Sequence, residues 1–215
     1  CLILVTADAQ RTMSTFLGAA QRLTSSAVDR HRIASSRILY LEGYLWDPAE
    51  PRAAMEAAIE MARLAGTKVA FTLSDSFVVE RHRADFLRLI EQGKIDILFA
   101  NEVEFLHLAQ ATDLDPAIAS FASRIPTLVV TRSEHGAMAC SNGEHAHVPA
   151  EPVARLVDTT GAGDLFAAGF LAGQALGKPL EQSLRLGAIA ASEVIQHYGA
   201  RPELDLAALA APLLR

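Results

Sequence analysis

Long apolar runs are missing from these 215 residues, and no stretch reaches the roughly 20 residues a membrane-crossing helix needs. No charged-then-apolar leader pattern is read in it either, so the expectation is a cytoplasmic protein that does not work in a membrane. Cysteine is scarce. Cys1 and Cys140 alone build no disulfide framework and suit a reducing compartment. Basic residues are outnumbered, 19 Lys and Arg against 25 Asp and Glu, for a formal charge of -6. That balance disfavours nucleic-acid partners and anionic bilayers, yet leaves room for a local basic pocket that holds a nucleotide. Repeats, low-complexity tracts and linkers are absent, so residues 1–215 read as a single α/β unit. A conventional start is absent too: the chain opens at Cys1 and enters an apolar run directly, as expected for a fragment of a longer protein.

What is present is an ordinary globular composition, with 51% of residues apolar and 20% charged. Short apolar runs at Leu2–Thr6, Ile38–Gly43, Lys68–Leu73, Ile95–Ala100 and Thr127–Thr131 read as strands, the first of them buried or partly buried. Between the first two, Arg11–Gly18 reads as a loop or irregular edge leading to a short helix near Ala20–Leu23. Helical spacing marks Ala53–Ala65, with Met55, Ile59, Met61 and Leu64 on its core face, and Gly66 stops it. Further helices are expected over Val79–Glu91 (apolar face Phe86, Leu87, Ile90), Glu102–Ala109, Pro116–Ser123, Ala162–Leu176, Leu180–His197 and Leu206–Leu214. Ala137–Ala150 has hairpin alternation around Asn142-Gly143. Strands separated by crossover-length helices predict a mostly parallel sheet covered on both faces, with a late antiparallel hairpin. Ligands of such sheets bind beyond the carboxyl ends of the strands. Asp8, Glu42, Asp75, Asn101 with Glu104, and Thr131 with Arg132 follow strand runs and are expected along one edge.

The most informative stretch is Asp158-Thr-Thr-Gly161-Ala-Gly163-Asp164, followed by an unbroken apolar helix pattern. Glycines ahead of a helix let several N–H groups converge, and the helix start adds unpaired donors and partial positive charge. That suits a phosphate. Asp164 inside such a turn would repel the phosphate unless it takes a proton from an incoming hydroxyl, the pairing that phosphoryl transfer uses. No Gly-Lys-Ser/Thr follows, so this is not the lysine-bearing P-loop.

This motif, with the chain from Leu2 to about Pro202 around it, resembles the second signature of the ribokinase-like (PfkB) sugar and nucleoside kinases. Thr6–Met13 resembles the bacterial adenosine-kinase-like branch. The resemblance implies an ATP-dependent kinase acting on a hydroxymethyl group of a small-molecule nucleoside or sugar. Adenosine is favoured over ribose or fructose, and the protein would act as a monomer or homodimer. It implies Asp164 as catalytic base and the backbone of Gly161, Ala162 and Gly163 as anion hole. Asn101 and Glu104 would organise Mg2+ through its waters near the nucleotide. Thr131, Arg132 and Gly136 would contact ATP, with Ser133 standing where the family often has glycine. Asp158 and Thr160 would sit beside a monovalent cation such as K+. The adenine pocket would be lined by Val153–Leu156 and Ala188–Ile195, Ser192 included. The small β lid and most sugar-binding residues of the family lie N-terminal to this stretch, so these 215 residues alone are expected to be inactive.

Other readings stand beside these. Asn101 and Glu104 form a helix-capping pattern whatever else they do. Arg11 is read either as a substrate or phosphate contact or as a surface ion pair, and Phe16 either as an acceptor-site wall or as core. His145 and His147 share a strand face, but no third ligand with suitable spacing accompanies them. A non-catalytic nucleotide-binding protein and a dinucleotide-dependent reductase are the competing functions. The first would have little use for Asp164, and the late position of the glycine turn speaks against the second.

Overall fold

The computed structural model describes residues 1–214. It opens on strands β1 (Leu2–Val5) and β2 (Arg11–Ser14), which pair antiparallel as a separate two-stranded sheet. Arg11–Ser14 is therefore strand, not loop. The hairpin closes because Thr6 N–H donates to Gln10 O and Ala9 N–H to Thr6 O, with Ala9 in left-handed backbone. Asp8 accepts from the Thr6 hydroxyl and from Gln10 N–H. It thus belongs to this turn and not to the edge of the larger sheet. The strand is also less buried than expected: Leu2 and Leu4 are exposed.

Two 3-10 turns, Gly18–Arg22 and Ser25–Ala27, lead to α1 (Arg30–Ser35), whose start Asp29 caps by accepting from His31 N–H and Arg32 N–H. Then come β3 (Ile38–Glu42), a 3-10 turn at Gly43–Trp46, α2 (Ala49–Ala65), β4 (Lys68–Thr72), α3 (Ser76–Glu91) and β5 (Ile97–Asn101). Next are α4 (Glu102–Ala109), α5 (Leu114–Phe121), β6 (Thr127–Thr131), β7 (Ala137–Ser141) and β8 (Glu144–Val148). The chain ends with α6 (Ala162–Ala175), α7 (Leu180–Val194), α8 (Leu206–Leu209) and α9 (Ala211–Leu214). The large sheet has the strand order β3-β4-β5-β6-β7-β8; β3 with β4 and β4 with β5 are parallel. The fold is α/β, a mostly parallel sheet flanked by helices and carrying the late hairpin, whose turn puts Asn142 and Gly143 at positive φ.

The chain gathers into two compact units, Leu17–Val130 with Cys140–Glu144, and Cys1–Phe16 with Thr131–Ala139 and His145 onward. In the first, Trp46, Phe71 and Phe86 form a fully buried aromatic cluster with ring centroids 5.3–5.8 Å apart, and Trp46 donates to Asp85. Gly66 takes the left-handed conformation that ends α2. Met55 and Ile59 are buried as expected, Met61 is half-buried, and Leu64 is 79% exposed. On α3, Leu89 rather than Leu87 completes the buried stripe with Phe86 and Ile90, because residues three and four apart share a helix face.

In the second unit α6 and α7 approach closely over small residues. A Cβ on Gly169 would come 2.4 Å from Leu186 O, and one on Gly187 would come 2.7 Å from Phe166 O. Helix α7 stops at Val194, short of His197, and Ile195 O instead accepts from Val157 N–H at 2.9 Å. The last expected helix is two pieces, the second restarting with Pro212 in its first turn, where a missing N–H costs least.

Candidate active site

The sequence motif becomes a loop, a left-handed step and a helix start, all within the second unit. Asp158 is buried and bonded on every side: Oδ1 accepts from Thr160 N–H (2.9 Å) and Thr160 Oγ1 (2.6 Å), and Oδ2 from Gly199 N–H (3.0 Å). Burial alone would raise its carboxyl, but those three donors and the Arg11 charge hold it below the usual range. Gly161 takes φ 80°, and a Cβ there would sit 2.7 Å from Ala200 Cβ, so glycine is required twice over. Helix α6 begins at the next residue. The N–H of Ala162, expected in the anion hole, already donates to Thr159 O at 3.3 Å, while those of Gly163 and Asp164 have no carbonyl four residues earlier inside the helix and present an electropositive end.

Gly163 differs from Gly161. Its φ is not positive, and a Cβ built on it meets nothing within 4 Å. The protein's own packing therefore does not demand glycine here, although glycine costs about 1 kcal/mol against alanine inside a helix. The open space lies beside Asp164, which is solvent-accessible in the first turn of α6. Partial desolvation raises the Asp164 carboxyl above its usual value, and the Arg11 charge opposes that. Arg11 reaches this stretch from β2, donating through Nη1 to Thr159 Oγ1 at 2.6 Å. Phe16 is 85% exposed, which removes the core reading.

The loop after β6 keeps its turn despite Ser133, which takes φ 51° where glycine would be at ease. Arg132 N–H donates to Gly136 O at 2.8 Å, and Gly136 is fixed by packing, since a Cβ there would stand 2.0 Å from Val148 O. Thr131 and Arg132 are half-buried beside it. Ser192 turns its hydroxyl back onto its own helix, donating to Ile189 O.

In the first unit, Glu42, Asp75 and Asn101 lie at or just past the carboxyl ends of parallel β3, β4 and β5. Asn101 and Glu104 make a complete capping box. Glu104 N–H donates to Asn101 Oδ1 (2.8 Å), Asn101 N–H to Glu104 Oε2 (3.0 Å), and Asn101 Nδ2 to Glu104 Oε1 (2.7 Å). Glu104 is only 6% exposed. Burial pushes its carboxyl up to about 7, the Asn101 N–H pulls it down, and the negative charge of Asp75 pushes it up again. A buried carboxylate that also feels the charge of a second acid is one that a divalent cation and its waters would stabilise in ionised form.

The histidines stay outside this chemistry. His145 and His147 are exposed on β8, and no group of three or more His, Cys, Asp or Glu gathers to hold a metal among the described residues. Sequence reasoning missed Glu193, a carboxylate 4% exposed near the end of α7, and the part played by Gly199 and Ala200. A lone acid in the apolar run Ala188–Ile195 was the available signal.

The chain is thus an α/β protein with a mostly parallel sheet and a glycine-opened helix start that bears an acid. Residues 1–206 match the pfkB family carbohydrate kinases, and the chain belongs to that family. That membership overturns the reductase alternative. The fold is similar to adenosine kinase from Sinorhizobium meliloti (43% identity, TM-score 0.94) and to a probable sugar kinase from Rhizobium etli (43%, TM-score 0.95). In each case 98% of this chain and 64% of the other is covered. It is also 38% identical over 141 residues to cytidine kinase from Thermococcus kodakarensis, over 64% of this chain and 50% of that protein. The chain thus spans about half to two-thirds of the length of such relatives. No helix among the described residues is long and apolar enough to cross a membrane.

Proposed function

We propose that the complete protein containing this chain transfers the γ-phosphoryl group of ATP to a hydroxymethyl group of a nucleoside or sugar, adenosine first among them. The observation that carries this is Asp164 in the first turn of α6, beside the open space that Gly163 leaves. A carboxylate there accepts the acceptor's proton as the new O–P bond forms and the bond from the γ-phosphorus to the β-phosphate oxygen breaks, releasing ADP. The first-turn N–H groups offset the charge that develops on the phosphoryl oxygens. Arg11 would hold the turn through Thr159 and add positive charge near Asp164. Asn101 and Glu104 would hold Mg2+ through its waters, and the ion would neutralise charge on the nucleotide phosphates. Thr131, Arg132 and Gly136 would border the nucleotide, with Ser192 and Phe16 as outer positions for base and acceptor. Asp158 and Thr160 would lie beside a monovalent cation such as K+. Adenosine rests on the Thr6–Met13 resemblance and on the similarity to an adenosine kinase.

An ATP-consumption screen of the complete protein against nucleosides and simple sugars identifies the acceptor. With that acceptor, Asp164→Asn is expected to bind ATP as wild type does while turnover falls by about 10²–10⁴-fold. Undiminished phosphorylation by the variant would remove Asp164 from the reaction, whereas a wild-type protein that binds ATP and consumes none with any acceptor would leave the nucleotide-binding reading.

A further inference from the structure

Two buried carboxylates hold opposite ends of one short segment of the second unit, and only one of them belongs to the glycine motif. At the near end, Asp158 Oδ2 accepts from Gly199 N–H at 3.0 Å. At the far end, Glu193 Oε1 accepts from Glu203 N–H at 2.8 Å and from Leu204 N–H at 2.9 Å. Between the anchors, Ala200 packs directly on Gly161, so tightly that a Cβ on the glycine would overlap it. Residues 199–204 therefore form a strap across the step that opens α6.

Nothing in helix α7 itself explains Glu193. It lies in an otherwise apolar stretch and is 4% exposed, and its Oε2 is buried without a hydrogen-bond partner. A buried acid with half its acceptor capacity unused is costly. A leucine or methionine would fill the same place in the core at less cost, but neither has an oxygen to accept the two strap N–H groups. His197 stands one helical turn further on, with Nε2 3.4 Å from Glu193 Oε1 and Nδ1 3.9 Å from Glu203. Desolvation works against the imidazolium form of His197, but the Tyr198 carbonyl and the two acids outweigh it and raise the imidazole above its usual value.

We propose that Glu193 is a positioning residue for phosphoryl transfer: from the end of α7 it holds residues 199–204 against Gly161 and so keeps the first-turn N–H groups of α6 aligned. The proposal rests on the kinase reading above. Glu193 acts through the strap, and reaches the reaction only by fixing where the turn sits. A displacement of the turn by a fraction of its own contact distances matters, because misplacing reacting groups by about 1 Å costs on the order of 10²-fold in rate.

The test uses the complete protein with the acceptor found in the screen. Glu193→Ala is expected to lower kcat by about tenfold or more, with KM for ATP within about threefold of wild type. Amide hydrogen exchange at Gly199, Glu203 and Leu204 speeds up in parallel. Glu193→Gln keeps an oxygen that can accept both N–H groups, and is expected to restore kcat to within about threefold. Should the alanine variant fold poorly, Glu193→Asp serves in its place, because it keeps the charge and withdraws the carboxylate by one methylene. A folded variant whose strap amides exchange faster while kcat stays at the wild-type value overturns the proposal and leaves Glu193 a purely structural anchor. So does a glutamine variant as impaired as the alanine one. If the wild-type protein phosphorylates no acceptor, the kinase reading fails first, and the positioning role falls with it.

Discussion

At the scale of single residues, Glu104 is a helix-capping acid that the proposed function also sets near a divalent cation. Its capping bonds to Asn101 are complete, so the helix-start reading and the metal-organising reading describe the same atoms. Burial lifts its carboxyl from the ordinary 4.5 to about 7. Between those values the folded protein keeps a proton that the unfolded chain has already shed. Stability is therefore highest below about pH 4.5 as far as this group is concerned, falls as pH rises through the window, and is level above it. The full effect is on the order of 3 kcal/mol, from 1.36 kcal/mol per unit. Glu104→Gln keeps the cap and removes the titration, so its melting temperature should depend less on pH between 5 and 8 than that of wild type. Equal slopes for the two proteins would show that burial does not raise this carboxyl. A divalent cation at Glu104 favours the ionised form, and saturating Mg2+ should flatten the wild-type slope as well.

At the scale of elements, α6 carries glycines of two kinds, and substitution separates them. Gly169 lies under Leu186, where a Cβ would come 2.4 Å from a backbone oxygen of α7 that cannot move alone. Gly169→Ala should therefore cost about 1–3 kcal/mol through overpacking, despite the gain in helix propensity. Gly163→Ala meets nothing within 4 Å, and should leave stability unchanged or raise it by up to about 1 kcal/mol. Turnover should nonetheless fall in Gly163→Ala, because the new methyl group enters the space beside Asp164. Melting curves paired with ATP turnover check both halves, and a fully active Gly163→Ala would mean that the space serves no ligand. The same helix shows what was legible beforehand. Its start, its apolar run and Asp164 stand in consecutive residues, where local rules apply. The contacts of Gly161 with Ala200 and of Asp158 with Gly199 join residues about 40 positions apart, which no local pattern reports. β2 escaped for a related reason. Arg11–Ser14 has little apolar alternation and becomes a strand only by pairing with β1 through the Thr6–Gln10 turn. Leu64, by contrast, fitted the helical period yet lies on the outward side of the last turn of α2, a distinction that spacing alone does not make.

At the scale of the whole molecule, the large sheet among the described residues ends on β3. β3 is the terminal strand, and all five of its residues, Ile38–Glu42, are only half-buried. An apolar groove of about 270 Å³ runs beside it, lined by Leu23, Val28, Ile33, Leu39, Leu41 and Met55 among others. A terminal strand offers a row of backbone donors and acceptors to any extended segment, and natural sheets cover or charge such an edge. Of the five residues of β3, only Glu42 carries a charge. The related structures extend over about half as much length again as this chain, which matches only 64% of theirs. Prepared as residues 1–215 alone, the protein is therefore expected to self-associate in a concentration-dependent way. A protein of the relatives' length should elute as one discrete species. Size-exclusion chromatography with light scattering between about 5 and 100 µM, a range in which exposed strand edges drive association, distinguishes the two. A short form that stays monomeric across the range would show that β3 is already shielded by its own surroundings, and the half-buried pattern would then mark a finished edge.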